Sequence, residues 1–302
     1  MDTKCGYVSI IGLPNAGKST LLNQLLGQKL SITTNKPQTT RKKILGILSE
    51  ENYQIIFQDT PGILNPEYLL QKKMLEFVRQ AVKDADVVLL LVDIASDPTG
   101  EKTFADETVK EVMKNNSWKK ILIINKIDIA DEASVKNLAA RFEKENVFEY
   151  IIPISALLGF NSESVKNALL ENLPVHPKYY PDDYVSDAPE KFYVSEIIRE
   201  KIFEQYKEEI PYSTEVVIED YKEQEGRKDV INASIIVERE SQKPIIIGKK
   251  GDALKKLGQT SRADIEAFLE RPVYLEIRVK VKEKWRGDVR MLKKFGYWND
   301  DE

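Results

Sequence analysis

Residues 12–19 read Gly12, Leu13, Pro14, Asn15, Ala16, Gly17, Lys18 and Ser19, with Thr20 behind them. The run fits G-x-x-x-x-G-K-[ST] and lies between an apolar stretch, Tyr7–Ile11, and a helical stretch, Lys18–Leu26. Strand, loop and helix in that order let successive backbone N–H groups turn inward. Together with the helix N-terminus they make a concave site for an anion. Lys18 is expected to reach the β- and γ-phosphates of a nucleotide, and the Ser19 hydroxyl to ligate Mg²⁺. The loop therefore commits its part of the chain to an α/β fold and to phosphate chemistry, without naming the base.

The chain has 302 residues, more than one typical domain, and is 42% hydrophobic and 31% charged, as a water-exposed globular protein would be. Its longest apolar run, Val87–Val92, is far too short to span a bilayer, and a cytoplasmic location is expected. A single cysteine, Cys5, excludes an internal disulfide and a cysteine zinc site. A single histidine, His176, set between Pro174 and Pro177, excludes a histidine-based triad or metal cluster. The net charge of −4 argues against binding nucleic acid by bulk charge alone, though it averages over the whole chain and can conceal a basic face.

From Tyr7 to Leu173, β-rich runs alternate with amphipathic ones. Strands are expected at Tyr7–Ile11, Ile44–Leu48, Gln54–Gln58, Val87–Asp93, Lys120–Ile124 and Tyr150–Ile154, with helices at Lys18–Leu26, Tyr68–Lys83, Ala105–Asn115, Val135–Glu145 and Ser162–Leu173. This is the rhythm of a mainly parallel sheet covered by helices on both faces. Three prolines follow within residues 174–181, which places a linker at 174–190 between a first domain, 1–173, and a second, 191–302. The second domain reads α-β-β-α-α-β: a helix over Lys191–Glu209, strands at Thr214–Tyr221 and Val230–Val237, a basic glycine-containing loop, a helical stretch from Asp252 to Glu270 divided near Gly258, and the strictly alternating strand Val273–Val281. An antiparallel or mixed sheet with helices on one face is expected.

Two more motifs fall at strand ends in the first domain. Asp59, Thr60, Pro61 and Gly62 follow one strand; the Asp59 carboxylate is placed to hold Mg²⁺ through water, and the Gly62 amide to meet a γ-phosphate. Asn125, Lys126 and Asp128 follow another, and a carboxylate at 128 accepts hydrogen bonds from N1–H and the exocyclic amine of guanine, a donor pair adenine lacks. Ser155, Ala156 and Leu157 complete the base site through backbone contacts. In the second domain Ile247, Gly248, Lys249, Lys250 and Gly251 form a hydrophobic-G-x-x-G loop opening a helix, with Lys255 one turn on. Such a loop approaches a sugar-phosphate backbone closely while its lysines neutralise it. Arg239–Arg262 carries seven basic residues against two acidic, and Arg278–Lys294 eight against two, which supplies the basic face that the net charge hides.

With its three motifs in order, the first domain resembles a translation-factor-type P-loop GTPase. The stretch Ser31–Arg41, ending Gln38, Thr39, Thr40 and Arg41, resembles switch I of the Era branch. The second domain resembles a type II KH domain, and Ser195–Lys201, Val237–Glu240 and Lys294–Tyr297 match the bacterial Era family, a resemblance that covers essentially the whole chain. It implies GTP and GDP as ligands, Mg²⁺ held by Ser19, Asp59 and Thr40 (Thr39 being the less favoured neighbour), and catalysis resting on Lys18, Thr40 and Gly62. Ile63 stands where Ras-like enzymes carry the water-orienting glutamine, so slow intrinsic hydrolysis is implied. Asn15 resembles an asparagine that helps hold K⁺ in related GTPases. The resemblance further implies a monomer that binds the 3′ end of 16S rRNA, takes part in 30S subunit maturation and associates at most weakly and peripherally with membrane. Nucleotide-dependent ordering of Thr33–Arg41 and Ile63–Lys72 would bias the KH domain. A second reading is an RNA-binding adaptor whose first domain is nucleotide-locked and catalytically weak.

Overall fold

The computed structural model describes residues 3–298. The chain forms two compact units, one running up to Pro66 and including Met74–Asp187, the other containing Glu67–Lys73 and the chain from Ala188 onward.

The first unit carries strands β1 (Lys4–Gly12), β2 (Ile44–Glu50), β3 (Tyr53–Asp59), β4 (Val87–Asp93), β5 (Lys119–Asn125) and β6 (Tyr150–Pro153), and helices α1 (Lys18–Leu26), α2 (Leu69–Lys83), α3 (Glu101–Ala105), α4 (Glu107–Lys114), α5 (Glu132–Glu145) and α6 (Ser162–Asn172). The sheet order is β2-β3-β1-β4-β5-β6. Only β2 runs antiparallel; every other pairing is parallel. Alternation along β4 explains the layers. Leu89 and Leu91 point to one face with Leu21, Leu22, Val165 and Leu169, while Val88, Leu90 and Val92 point to the other with Val78, Val109, Leu138 and Phe142. Because five strands run the same way, the loops after β1, β3, β4, β5 and β6 gather along one edge of the sheet, where ligands bind in folds of this class.

The helix expected over Ala105–Asn115 is α4, which starts later, at Glu107; a separate short helix, α3, not expected from the sequence, precedes it, and Asp106 divides the two. That side chain accepts hydrogen bonds from the Thr108 and Val109 amides and caps α4, because a short acidic side chain stabilises a helix start better than a helix interior. Asp131 does the same for α5, which begins before the expected Val135.

The stretch 174–187 does not hang free. Pro174 accepts the Cys5 amide at 3.1 Å, and Val185 accepts the Ile47 amide at 2.8 Å. The Ser186 hydroxyl donates to the Leu45 carbonyl at 2.6 Å, so this segment satisfies part of the outer edge of β2. Its anchor is the buried Gln54 on β3, whose carbonyl oxygen accepts the Tyr179 and Tyr180 amides at 2.9 and 3.0 Å and whose amide donates to the Tyr180 carbonyl at 2.8 Å.

The second unit contains α7 (Glu190–Gln205), α8 (Ile210–Ser213), β7 (Glu215–Lys222), β8 (Asp229–Val237), α9 (Lys243–Ile247), α10 (Asp252–Leu269), β9 (Val273–Val281) and α11 (Val289–Lys294). The sheet is mixed, with β7 antiparallel and β9 parallel to β8. Val194, Ile198 and Ile202 of α7 and Leu257 and Ile265 of α10 pack on Ile231, Ala233 and Ile235 of β8. The expected division of α10 near Gly258 is not present. Its buried face, Leu257, Ser261, Ile265 and Leu269, runs straight through, and that burial exceeds the roughly 1 kcal/mol a mid-helix glycine costs. Beyond β9, the buried Trp285 donates its indole N–H to the Ser213 carbonyl at 3.0 Å, and the Tyr297 hydroxyl bonds Glu215 at 2.7 Å, which fastens the last segment to the same core.

Gln54→Ala orphans three backbone groups at once, and the expected loss is about 1–3 kcal/mol. A lower urea midpoint together with accelerated hydrogen exchange at the Tyr179 and Tyr180 amides checks this outcome.

Candidate functional site

A cavity of about 450 Å³ opens at the carboxyl ends of the parallel strands, and all four of the first unit's motifs reach it. Pro14, Asn15, Gly17, Lys18, Ser19 and Thr20 form its floor. Residues between Ile32 and Thr40, with Thr60 and Gly62, close one end; Asn125, Lys126, Asp128, Ala156 and Leu157 close the other. Gly12, Leu13, Ala16, Asp59, Pro61, Ile63 and Ser155 do not line it.

Helix α1 begins at Lys18, directly after Gly17, whose φ of 95° is left-handed. A Cβ there would lie 2.2 Å from the Asn125 side-chain nitrogen, so a glycine is required on both counts. Lys18 Nζ curls back over the loop and donates to the Gly12 and Leu13 carbonyls, both at 3.0 Å. Burial lowers its pKa to about 8, partly opposed by the charge of Asp59. The Asp59 carboxyl is raised from its usual range, again by burial, against the hydrogen bond from Ser19 and the nearby Lys18 charge.

Ser19 Oγ donates to Asp59 Oδ2 at 2.7 Å and stands 2.9 Å from Thr40 Oγ1. Of the two adjacent threonines, Thr40 is the one beside Ser19. The Thr39 hydroxyl instead meets Thr34 Oγ1 at 2.8 Å and donates to the Lys36 carbonyl at 2.9 Å. Ser19, Thr40 and Asp59 offer hard oxygen donors, and the buried Asp59 Oδ1 has no hydrogen-bond partner among the described residues. That set suits Mg²⁺ completed by phosphate oxygens and water. Among the described residues there is no cluster of three or more His, Cys, Asp and Glu able to hold a metal without a ligand's help. Thr60 turns its hydroxyl to the Ile10 carbonyl at 2.7 Å, and Ile63, 1% exposed, packs with Ile11 and Val78 while its amide donates to the Gly12 carbonyl at 3.0 Å.

At the other end Asn125 acts as a clamp. Its amide donates to the Ala16 carbonyl at 2.8 Å, and its carbonyl oxygen accepts the Ala156 amide at 3.0 Å. Lys126, at φ 67°, pairs with Asp93 at 2.6 Å. Sequence reasoning does not single out Asp93, whose only signal is an acid closing the run Val87–Val92. Asp128 is exposed at the cavity rim, flanked by the exposed apolar side chains of Ile129 and Leu157. Ser155 is buried and accepts the Leu158 amide at 3.2 Å.

In the second unit, Ile247 ends the short helix α9, where the sequence shows only an apolar run. Gly248 follows at φ 74°, ψ 178°, a conformation confined to glycine, and a Cβ there would lie 2.5 Å from that of Ala253. Lys249 and Lys250 stand exposed at the tip of a single 3-10 turn, Gly251 leads into α10, and Lys255 is exposed one turn further along.

Comparison with known proteins matches residues 7–126 to the family described as 50S ribosome-binding GTPase and residues 209–286 to the KH domain. The GTPase Era of Geobacter sp. (strain M21) is 45% identical over 97% of this chain and 98% of its own length. The chain belongs to the GTPase Era family. As a member it is a GTPase joined to a KH domain. The chloroplastic GTPase ERA1 of Zea mays is 47% identical over 97% of this chain, which spans 70% of the maize protein. Two solved Era structures superpose on 98% of the chain with a TM-score of 0.90 each. One is a single-residue variant of Aquifex aeolicus Era bound to GDP·AlF4⁻, at 39% identity. The other is Era in complex with MgGDPNP and nucleotides 1506–1542 of 16S ribosomal RNA, at 40% identity. Among the described residues no helix is long and apolar enough to cross a membrane.

Removing the Asn125 side chain leaves the Ala16 carbonyl and the Ala156 amide unpaired in a buried site. Asn125→Ala is expected to lower thermal stability by about 1–3 kcal/mol and to weaken GDP binding by at least roughly tenfold, read by calorimetry and by fluorescent-nucleotide titration.

Proposed function

We propose that the cavity binds GTP and GDP, with Lys18 against the β- and γ-phosphates, the amides of the Gly12–Thr20 loop around them, the Gly62 amide facing the γ-phosphate and Asp128 reading guanine. The observation that carries this reading is the convergence of four separate sequence motifs on one cavity, held together by the Asn125 clamp. Burial disfavours the charged forms of Lys18 and Asp59, and a Mg²⁺–polyphosphate beside them would favour both charged forms. Ser19, Thr40 and Asp59 would hold the Mg²⁺, which would supply positive charge against the negative charge that develops in phosphoryl transfer. Asn15, at φ 62°, donates its side-chain amide to the Asn35 carbonyl at 3.1 Å and so ties the phosphate loop to the switch loop, a place where K⁺ would serve. Equal hydrolysis rates in K⁺ and Na⁺ buffers would remove the potassium assignment.

The KH domain binds single-stranded RNA in this reading. Gly248, Lys249, Lys250 and Gly251 clamp the backbone, Ile247 presents an apolar surface to a base, and Lys255 adds charge. The target is the 3′ end of 16S rRNA, by analogy with the relative solved on that segment, and the setting is 30S assembly in the cytoplasm by a monomer. Weak peripheral contact with membrane is compatible with this. GTP and RNA are mutually reinforcing ligands, because GTP orders the switch loops and the effect of one ligand on the other is reciprocal. The adaptor reading, with a nucleotide-locked first domain, predicts tight binding of nucleotide without turnover.

Asp128→Asn should exchange guanine for xanthine specificity: XTP binding appears and GTP binding falls by on the order of 10²-fold or more, while ATP stays unbound by both proteins. Nucleotide competition titrations decide it, and ATP binding equal to GTP would overturn the base assignment. Gly248→Asp places a charged side chain in a glycine-only conformation against Ala253. It should weaken binding of a 16S 3′-end oligonucleotide by at least about tenfold while GDP affinity holds. With the wild-type chain, RNA affinity is expected to be about 5-fold or more higher with a GTP analogue than with GDP. Equal affinities in the two states would rule out the coupling.

A further inference from the structure

Asp128 lines the cavity and is exposed, and its side chain makes no hydrogen bond or ion pair among the described residues. Its place is therefore set by the backbone that carries it. That backbone is a single 3-10 turn over Ile127–Ile129, entered through Lys126 at φ 67°, ψ 35°. The entry is left-handed, a conformation that glycine adopts freely and other residues disfavour. No side chain caps the turn. The Ile129 amide donates to the Lys126 carbonyl at 3.2 Å and the Ile127 amide to the Ile154 carbonyl at 3.3 Å, both on the long side for such bonds. The Ile127 side chain packs against the apolar layer that includes Ile124 and Leu138. The polar anchor of the turn is the ion pair of Lys126 Nζ with Asp93 Oδ2 at 2.6 Å.

The two oxygens of Asp93 have different partners. Oδ1 accepts the Ala95 and Ser96 amides at 3.2 and 3.3 Å and closes the turn after β4, which leaves Oδ2 for Lys126. The pairing of β4 with β5 sets Asp93 beside Asn125, and the Ile94 amide donates to the Asn125 carbonyl at 3.1 Å. The carboxylate is thus fixed to the sheet and not to the loop it restrains. The Lys126 side chain is 30% exposed, and an ion pair this open to solvent adds little to stability. What it supplies is direction: a flexible four-carbon stem, and the backbone bearing it, are held in one place before a nucleotide arrives.

We infer that Asp93 is a positioning residue for guanine recognition, which rests on the cavity being a guanine-nucleotide site. Acting through Lys126, it holds the 127–129 turn at the angle where the Asp128 carboxylate meets both N1–H and the exocyclic amine. Without that hold Asp128 stays at the cavity rim with its angle unfixed, and a two-point contact falls to one. Hypoxanthine has the N1–H and lacks the amine, and a single contact tolerates a change of angle better than a pair does. The loss therefore falls selectively on guanine.

The test measures affinities for GDP and inosine diphosphate by competition titration in wild type, Lys126→Met, Asp93→Asn and the double variant. Lys126→Met keeps an unbranched stem and leaves both Asp93 bonds to the 95–96 amides in place. Asp93→Asn offers one acceptor oxygen where two sets of donors compete. Each single variant is expected to lower the ratio of GDP to inosine diphosphate affinity about fivefold, and the double variant no further than the larger single, because either change breaks the same link. Should Asp93→Asn fail to fold, Lys126→Met gives the same readout. A ratio within about 1.5-fold of wild type in the folded single variants overturns the inference even where GDP affinity falls, since a merely loosened site loses both nucleotides alike. A double variant whose ratio falls by the product of the two singles overturns it as well, because Asp93 would then not act through Lys126. Equal affinity of the wild-type chain for the two nucleotides would instead overturn the assignment of Asp128 as the guanine reader, a result distinguishable from both.

Discussion

The carboxamide of Asn125 ties together loops that are far apart in sequence. Its two hydrogen bonds, to the Ala16 carbonyl and from the Ala156 amide, join the phosphate loop after β1 to the loop after β6. Parallel pairing of β4 with β5 sets Asp93 beside Asn125, and Asp93 in turn holds Lys126. The ends of four strands are therefore linked through polar contacts rather than apolar burial. The sheet beneath supplies rigidity, and this network turns it into a fixed spacing between the place for phosphate and the place for a base. The left-handed Gly17 is part of the same constraint, since any side chain there would collide with the clamp.

Lys18 and Asp59 show the electrostatic side of that design. Both are buried, and desolvation moves each toward its neutral form. Their mutual attraction offsets this only in part, because Lys18 donates to loop carbonyls and Asp59 accepts from Ser19 instead of from the lysine. The protein alone leaves the charges imperfectly compensated. In the proposed reading a polyphosphate with its divalent cation would compensate both at once and so couple the two halves of the ligand, Lys18 favouring the anion and Asp59, with its unpartnered Oδ1, the metal.

Much of this is legible in the sequence, because parallel strands buried on both faces read as unbroken apolar runs and because glycines at fixed spacing have few meanings. Val87–Asp93 and Val273–Val281 fall at the observed boundaries. What the sequence conceals depends on contacts distant along the chain. Nothing local in Gln54 announces that it will hold Tyr179 and Tyr180, and nothing near Ile63 says whether it faces solvent or core. Gly258 reads as a helix breaker until the partners of α10 are known. Asp106 is the opposite case: its local capping signal is present, and apolar periodicity across Ala105–Asn115 masks it. The choice between Thr39 and Thr40 needs coordinates too, since only the turn at 34–39 decides which hydroxyl faces Ser19.

The two units solve opposite mechanical problems. In the first, residues 34–39 are held by hydroxyl-mediated bonds of short sequence range and carry a strained residue at Gln38. Such a segment sits at the low-stability end of a folded protein and can be reordered by a ligand worth a few kcal/mol. In the second, the Gly248 loop has no such freedom: Ala253 of α10 abuts it, α9 precedes it, and the Tyr206 hydroxyl bonds the Ile246 carbonyl at 2.7 Å beneath it. A rigid loop binds RNA without first losing conformational entropy, so its affinity is set by shape and charge. A soft loop makes a poor reader but a good sensor, because a bound ligand can shift its population of folded states. Placing Ile63 in the core is consistent with this division: with Ile11 and Val78 it packs one face of the sheet and adds to the rigidity beneath the softer segment.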